Sequence, residues 1–259
     1  MGARLVLVAR DRARAEQVLA RVTAQRPAEE QPAAHTVHYA DLSRLAEMKR
    51  VGAEIAAAEP RIDVLINNAG GLFATRQVTE DGLERTFATN HVAYFVLTQL
   101  LLPSLKAAAP ARIVNTASEA HTGQKLDFSD LQLAGNYRFR TAYGRSKLAN
   151  ILFTRALARR LAGTGVTANA LHPGFVATGL GQRDNRFLGM LVRLAMMVRA
   201  EPAERGADTI VYLASSPEVA GVTGKYFERS RPLAPTAEAQ DDATARRLWD
   251  ETARLTGVG

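Results

Sequence analysis

Residues 111–174 contain three segments that decide the fold: "ARIVNTAS" (111–118), "TAYGRSKLANILFTRALARRLAG" (141–163) and "GVTANALHPG" (165–174). The first and third are short apolar runs that end in polar or turn-forming residues, as buried strands do. The second is a long amphipathic stretch closed by Gly163, as a helix is. A strand, a helix and a strand at this spacing form a βαβ unit, which implies parallel strands and a right-handed crossover.

The same alternation extends in both directions. Upstream, "RLVLVA" (4–9) predicts a strand and a helix follows from about Arg12 to Gln25. "HTVHYA" (35–40) predicts a weaker strand, after which Asp41-Leu42-Ser43 caps a helix running to about Ala58. "IDVLINNAG" (62–70) is a strand ending in a turn, and "DGLERTFATNHVAYFVLTQLLLPSLKAA" (81–108) is one long helix, irregular near Asn90 and Pro103. Downstream come a helix from about Pro202 to Ala214, a short strand near Lys225 to Phe227, a loop at "RSRPLAPTAEAQDD" and a helix from about Ala237 to Leu255. The expectation is an α/β fold with a doubly wound, mostly parallel, Rossmann-like sheet, in a single domain over residues 1–259.

Composition narrows the function classes. At 47% hydrophobic residues the 259-residue chain can bury a full core, which excludes disorder. With no cysteine, disulfides, thiolate metal sites and cysteine nucleophiles are excluded; a reducing cytoplasm fits. The net charge of +7 raises nucleic acid as a partner, yet the basic residues are mostly arginines spread without a like-charged block. A solvated arginine-rich surface, with no nucleic-acid partner, is the favoured reading. The N-terminus turns polar too early for a signal peptide, and no window reaches the length of a transmembrane segment. His35, His38, His91, His121 and His172 lack metal-ligand spacing, so no metal site is expected.

In such a sheet, ligands sit at the carboxyl ends of the strands. Arg10, Asn67, Asn68, Gly70, Ser118, Pro173 and Gly174 all fall there. Tyr143 and Lys147, four apart on one helix, share a face. A phenol titrates near pH ~10 and serves as a proton donor or acceptor at neutral pH only if its anion is favoured, as by a neighbouring ammonium. Hydride transfer to or from a carbonyl needs such a group. Alone, the spacing is one that chance can supply, with the tyrosine packed and the lysine solvated. Ser118 can bond the same substrate oxygen or cap a turn. Asn90 in a helix is unfavourable by propensity, which suggests a polar task, the alternative being a locally satisfied side chain.

"NNAG" (67–70), "TNHVAYF" (89–95), "RIVNTAS" (112–118), "YGRSK" (143–147) and "HPGFVAT" (172–178) resemble, in order and spacing, the short-chain dehydrogenases/reductases. "SKLANILFTRALARRL", "GKYF" and "RLWDE" are similar to the retinol dehydrogenase-like branch. The resemblance spans essentially the whole chain. It implies Tyr143 as general acid or base, Lys147 as the group that lowers its pKa and holds the nicotinamide ribose, Ser118 as the orienter of the substrate oxygen and Asn90 as the holder of a relay water. It further implies Asn67, Ala69 and Gly70 along the adenosine side of the cofactor, with Pro173, Gly174 and Thr178 shaping the nicotinamide pocket. Asp41-Leu42 resembles the adenine-contacting pair. Asn68 and Gly70 keep a purely turn-forming alternative.

Cofactor choice turns on the end of the first strand, where Arg10, helped by Arg12, suits a 2′-phosphate; NADP(H) is favoured over NAD(H). The family's first strand and glycine-rich phosphate turn have no counterpart, so the chain reads as N-terminally truncated. The missing strand would lie between those ending at Ala9 and Ile66. Either Met1 is an internal methionine of a longer frame, which is favoured, or the chain is a truncated product. Residues 179–200, "GLGQRDNRFLGMLVRLAMMVRA", form an apolar substrate lid or a helix packing on the body or a second subunit. The expected function is NADP(H)-dependent interconversion of a lipophilic alcohol and its aldehyde or ketone. The alternative is a catalytically inactive remnant acting as a binding or scaffold protein. The resemblance also suggests a homo-oligomer.

Overall fold

The structure, a computed structural model, describes residues 2–24, 35–174 and 203–259. A mostly parallel sheet is flanked by helices. β1 (Val6–Ala9) leads into α1 (Arg12–Ala24) and, in the next described segment, β2 (Thr36–Tyr39) into α2 (Leu45–Ala58). β3 (Val64–Asn67) is followed by α3 (Arg85–Phe87), a π-helical turn (Ala88–Val92) and α4 (Ala93–Ala108), which run on as one helix. Then come β4 (Ala111–Thr116), a 3₁₀ turn (Glu119–His121), α5 (Phe139–Arg160) and β5 (Val166–His172). α6 (Ala203–Ser215), β6 (Tyr226–Glu228), β7 (Arg231–Leu233), α7 (Ala237–Gln240) and α8 (Asp242–Thr256) complete the described chain.

β1 and β2 pair in parallel as one two-stranded sheet, and β3-β4-β5-β6-β7 form a second, parallel except for β7. Among the described residues, β1 pairs with no strand but β2 and β3 with none but β4. Ile66 on β3 is 45% exposed, an unusual state for a β-branched side chain on a strand flanked by helices.

Local chemistry explains most element ends, with three differences from expectation. α2 begins at Leu45 without a side-chain cap from its own turn; the Asp81 carboxylate, 36 positions away, accepts from the Leu45 N–H at 2.8 Å. Asp41 instead closes its own turn on the Ser43 N–H and hydroxyl. The terminal helix is two, because Asp241 interrupts it and its carboxylate caps α8 through the Ala243 N–H. The segment read as a loop contains β7, paired antiparallel to β6 through a turn in which Arg229 and Ser230 both take positive φ.

The core lies between the sheet and helices α2, α4, α5 and α8. Phe95, Phe153 and Trp249 meet at ring separations of 4.9–5.7 Å, fastening α4, α5 and α8 together. Each buried aromatic contributes a few kcal/mol, about 1.5–3 by area, before cavity effects. Through this apolar core runs a polar seam. Asn67 donates to Thr98 (3.0 Å) and to Asn115 (2.8 Å), Asn115 donates to Thr154 (2.9 Å), and Thr154 donates to the Asn150 carbonyl (2.7 Å). It ties β3 and β4 to α4 and α5. Buried amides are costly unless bonded in this way.

Candidate active site

A cleft of about 540 Å³ opens at the carboxyl ends of β1, β3, β4 and β5. Arg10, Asp41, Leu42, Ala69, Gly70, Ser118, Tyr143, Lys147, Pro173 and Gly174 line it, so residues separated by more than 160 positions share one wall. Thr178 and the expected lid at 179–200 lie outside the described residues.

Tyr143 and Lys147 face the cleft from the first turns of α5. Lys147 is almost wholly buried, and its ammonium donates to the Thr116 carbonyl at 3.1 Å. Burial pushes its pKa down to about 8, which leaves most molecules charged at neutral pH. The expected lowering of the Tyr143 pKa by this ammonium is not what the geometry gives. Held on Thr116, the Nζ lies 5.5 Å from the centre of the Tyr143 ring. Burial pushes the phenol up, and only a hydrogen bond with Ser118 offsets it.

Ser118, two residues beyond β4, caps the 3₁₀ turn, its hydroxyl accepting from the Ala120 N–H at 3.2 Å. Its spacing from Tyr143 is set by Gly144, where an added Cβ would stand 2.5 Å from the Ala120 carbonyl oxygen. Only glycine lets α5 approach the turn after β4 so closely.

Asn90 does not line the cleft. It sits fully buried in the π-turn, bonded to the Gly71 N–H (2.7 Å), the Gly71 carbonyl (3.0 Å) and the Ser146 hydroxyl (2.9 Å). Its backbone carbonyl accepts from Asn150 at 2.9 Å. The side chain thus clamps the turn after β3 onto α5, with both amide protons committed to that task. Asn67 also departs from expectation: its side chain points into the polar seam, and the neighbouring Asn68 lines the cleft in its place.

At the other end, Arg10 lies 3.8 Å from Asp41. Burial works against the Asp41 carboxylate, but the Ser43 bonds and the Arg10 charge hold it below the usual range. Arg12 stacks on Tyr39 at 4.1 Å and is not part of the wall; Arg14, two residues further along the first turn of α1, is. Sequence reasoning passed over Arg14, Arg85 and Thr89. The only signal for Arg14 was its place on the helix after β1. Thr89 also carries a buried hydroxyl that has no hydrogen-bond partner among the described residues. Among the described residues no group of His, Asp and Glu is placed to hold a metal, and no helix is long and apolar enough to cross a membrane.

The donor set fits a dinucleotide: an ammonium and three guanidiniums, those of Arg10, Arg14 and Arg85, for phosphate and ribose oxygens, a phenol and a hydroxyl for a carbonyl oxygen. The bare backbone at Gly70 lies close against the buried Asn90, since a Cβ there would stand 3.3 Å from its Oδ1.

The pattern described as short chain dehydrogenase matches residues 1–188. Human retinol dehydrogenase 13 is 44% identical over 223 residues, covering 84% of this chain and 67% of the relative. Human retinol dehydrogenase 14 is 42% identical over 269 residues, covering 100% and 80%. Among solved structures, an uncharacterised protein from Mycobacterium paratuberculosis superposes with a TM-score of 0.72 at 28% identity, covering 98% of this chain and 94% of that one. An NADP complex of RhlG from Pseudomonas aeruginosa superposes with a TM-score of 0.63 at 25% identity, covering 87% and 84%.

Proposed function

This chain belongs to the short-chain dehydrogenase family of oxidoreductases, and from that premise we propose that it interconverts a lipophilic alcohol and its aldehyde or ketone with NADP(H), Tyr143 moving the proton. The observation that carries the reading is the meeting of Tyr143, Ser118 and Lys147 on the wall of one cleft that Arg10 and Asp41 also line. The retinol dehydrogenase names of the relatives support an apolar substrate, and the NADP complex of a structural relative supports the cofactor.

The dinucleotide, when bound, supplies or accepts the hydride. The protein's own groups do the rest. Ser118 and Tyr143 place two hydroxyls side by side, able to hold one substrate oxygen between them. In reduction, the Tyr143 hydroxyl gives its proton to that oxygen as negative charge develops there; in oxidation the phenolate takes it back. The raised pKa of Tyr143 suits the donor role in this state of the protein. Lys147, held on the Thr116 carbonyl at the wall of the cleft, supplies a positive charge and ammonium protons for the ribose oxygens of the nicotinamide end. Arg10 and Arg14 provide cations for an anionic group at the far end, which favours NADP(H) over NAD(H).

Loss of absorbance at the reduced nicotinamide band, with NADPH and a medium-chain aliphatic aldehyde, tests the reading. The native chain turns over and Tyr143→Phe does not. Full activity in that variant, or none in the native chain with either NADPH or NADH, overturns it.

A further inference from the structure

Behind Lys147 lies a buried polar chain that the proposed chemistry does not use. The Asn150 side-chain amide nitrogen donates both its protons, to the Asn90 carbonyl at 2.9 Å and to the Thr116 carbonyl at 3.1 Å. The Thr116 carbonyl is the one that also receives the Lys147 ammonium. With both protons committed to carbonyls, the Asn150 amide cannot be flipped, and its oxygen is left as an acceptor. That oxygen lies 3.3 Å from His91 Nδ1.

His91 is fully buried, and burial pushes its pKa down to about 4, so its ring is neutral and carries one proton. To bond the Asn150 oxygen, that proton must be on Nδ1. Nε2 is then an acceptor, and it lies 3.1 Å from the Thr252 hydroxyl on α8. Thr252 also lies 2.8 Å from the Leu248 carbonyl, but one hydroxyl proton cannot serve both. With Nδ1 protonated, the rotatable hydroxyl turns that proton from the Leu248 carbonyl to Nε2, which has no other donor among the described residues. Phe87 and Phe153 wall the ring at centroid separations of 5.1 and 5.9 Å, which fixes its plane.

We propose that His91, as its Nδ1–H tautomer, is a positioning residue: it locks the Asn150 amide, which holds the Thr116 and Asn90 carbonyls and thereby the Lys147 ammonium. The chain of bonds connects the cleft to the C-terminal helix. Its catalytic consequence rests on the role given to Lys147 above; the tautomer does not.

Three variants separate the ring positions. His91→Asn puts an amide nitrogen where Nδ1 stands, His91→Gln puts one where Nε2 stands, and His91→Phe offers neither. Nitrogen-detected NMR of the free protein reads the tautomer, the His91 signal being the one lost in His91→Asn. A proton on Nε2 overturns the proposal. The side-chain amide protons of Asn150 exchange slowly in the native protein and in His91→Asn, and faster in the other two. Equal exchange in His91→Gln and His91→Asn also overturns it. In turnover, His91→Phe and His91→Gln lose roughly tenfold in kcat, the size of one ordered hydrogen bond to a charged site, with KM little changed, while His91→Asn keeps its rate. A loss confined to KM contradicts the positioning role. The two spectroscopic readings need no turnover, so their failure is distinct from failure of the proposed activity.

Discussion

Replacing Lys147 by methionine should make the folded protein more stable at neutral pH while abolishing turnover. The unbranched methionine fills most of the lysine's volume and has no charge to bury. Burial takes the ammonium from 10.5 to about 8, a difference worth roughly 3 kcal/mol at about 1.36 kcal/mol per tenfold. Against this, the variant loses the bond to the Thr116 carbonyl, worth about 1.5–3 kcal/mol for a charged donor. The net gain at pH ~7 is on the order of 1 kcal/mol, or about 2–4 °C in Tm for a chain of this size. The pH dependence is the sharper signature. The native state binds the Lys147 proton more weakly than the unfolded chain does, so native stability rises with pH between about 8 and 10.5. The variant lacks that rise, so its advantage shrinks from about pH 8 upward and reverses inside the window. Urea unfolding of both proteins from neutral pH to the upper edge of that window measures the crossing. A difference that stays constant across the window, or a variant markedly less stable at neutral pH, would refute the reasoning.

Gly144→Ala drives a methyl into the Ala120 carbonyl, 2.5 Å from the new Cβ, and should cost about 1–3 kcal/mol as overpacking does; denaturant midpoints check the stability, and kcat should fall as Ser118 and Tyr143 separate. Arg10→Ala should weaken NADPH binding by about tenfold, one charge-assisted contact, and leave NADH binding nearly unchanged, as titration of nucleotide fluorescence would show. Ser230→Gly relieves a residue held at φ 59° in the β6–β7 turn and should raise Tm, by about 0.5–1 kcal/mol of stability, in a scan beside the native protein.

The alternation of apolar runs and amphipathic stretches placed β1 to β6 and the long helices, because their signals are local and repeat with a fixed period. The irregularity at Asn90 was legible for the same reason: a poor helix former sits in mid-helix, and the structure puts a π-turn there. What the sequence could not show are bonds made at long range. The cap of α2 comes from Asp81, and no pattern around Ser43 announces it. Strand β7 was hidden by Pro232 and by a turn built from Arg229 and Ser230 where glycines would be the signal. In the site, strand-end position found the wall of the cleft. It could not tell Asn67 from Asn68, since adjacent residues on a strand point to opposite sides. Nor could helical spacing reveal that Lys147 rests on Thr116 rather than on Tyr143.

The seam of Asn67, Asn115, Thr154 and Asn150 has a mechanical meaning. Apolar side chains tolerate sliding, because one methyl contact replaces another at little cost. Paired amides and hydroxyls do not, because a shift of an ångström breaks each bond and strands a buried dipole. The seam therefore indexes α5 against β3 and β4 like the teeth of a ratchet, fixing which turn of the helix stands at the strand ends. The mouth of the cleft can be recut for a different substrate without disturbing the setting of Tyr143 and Lys147.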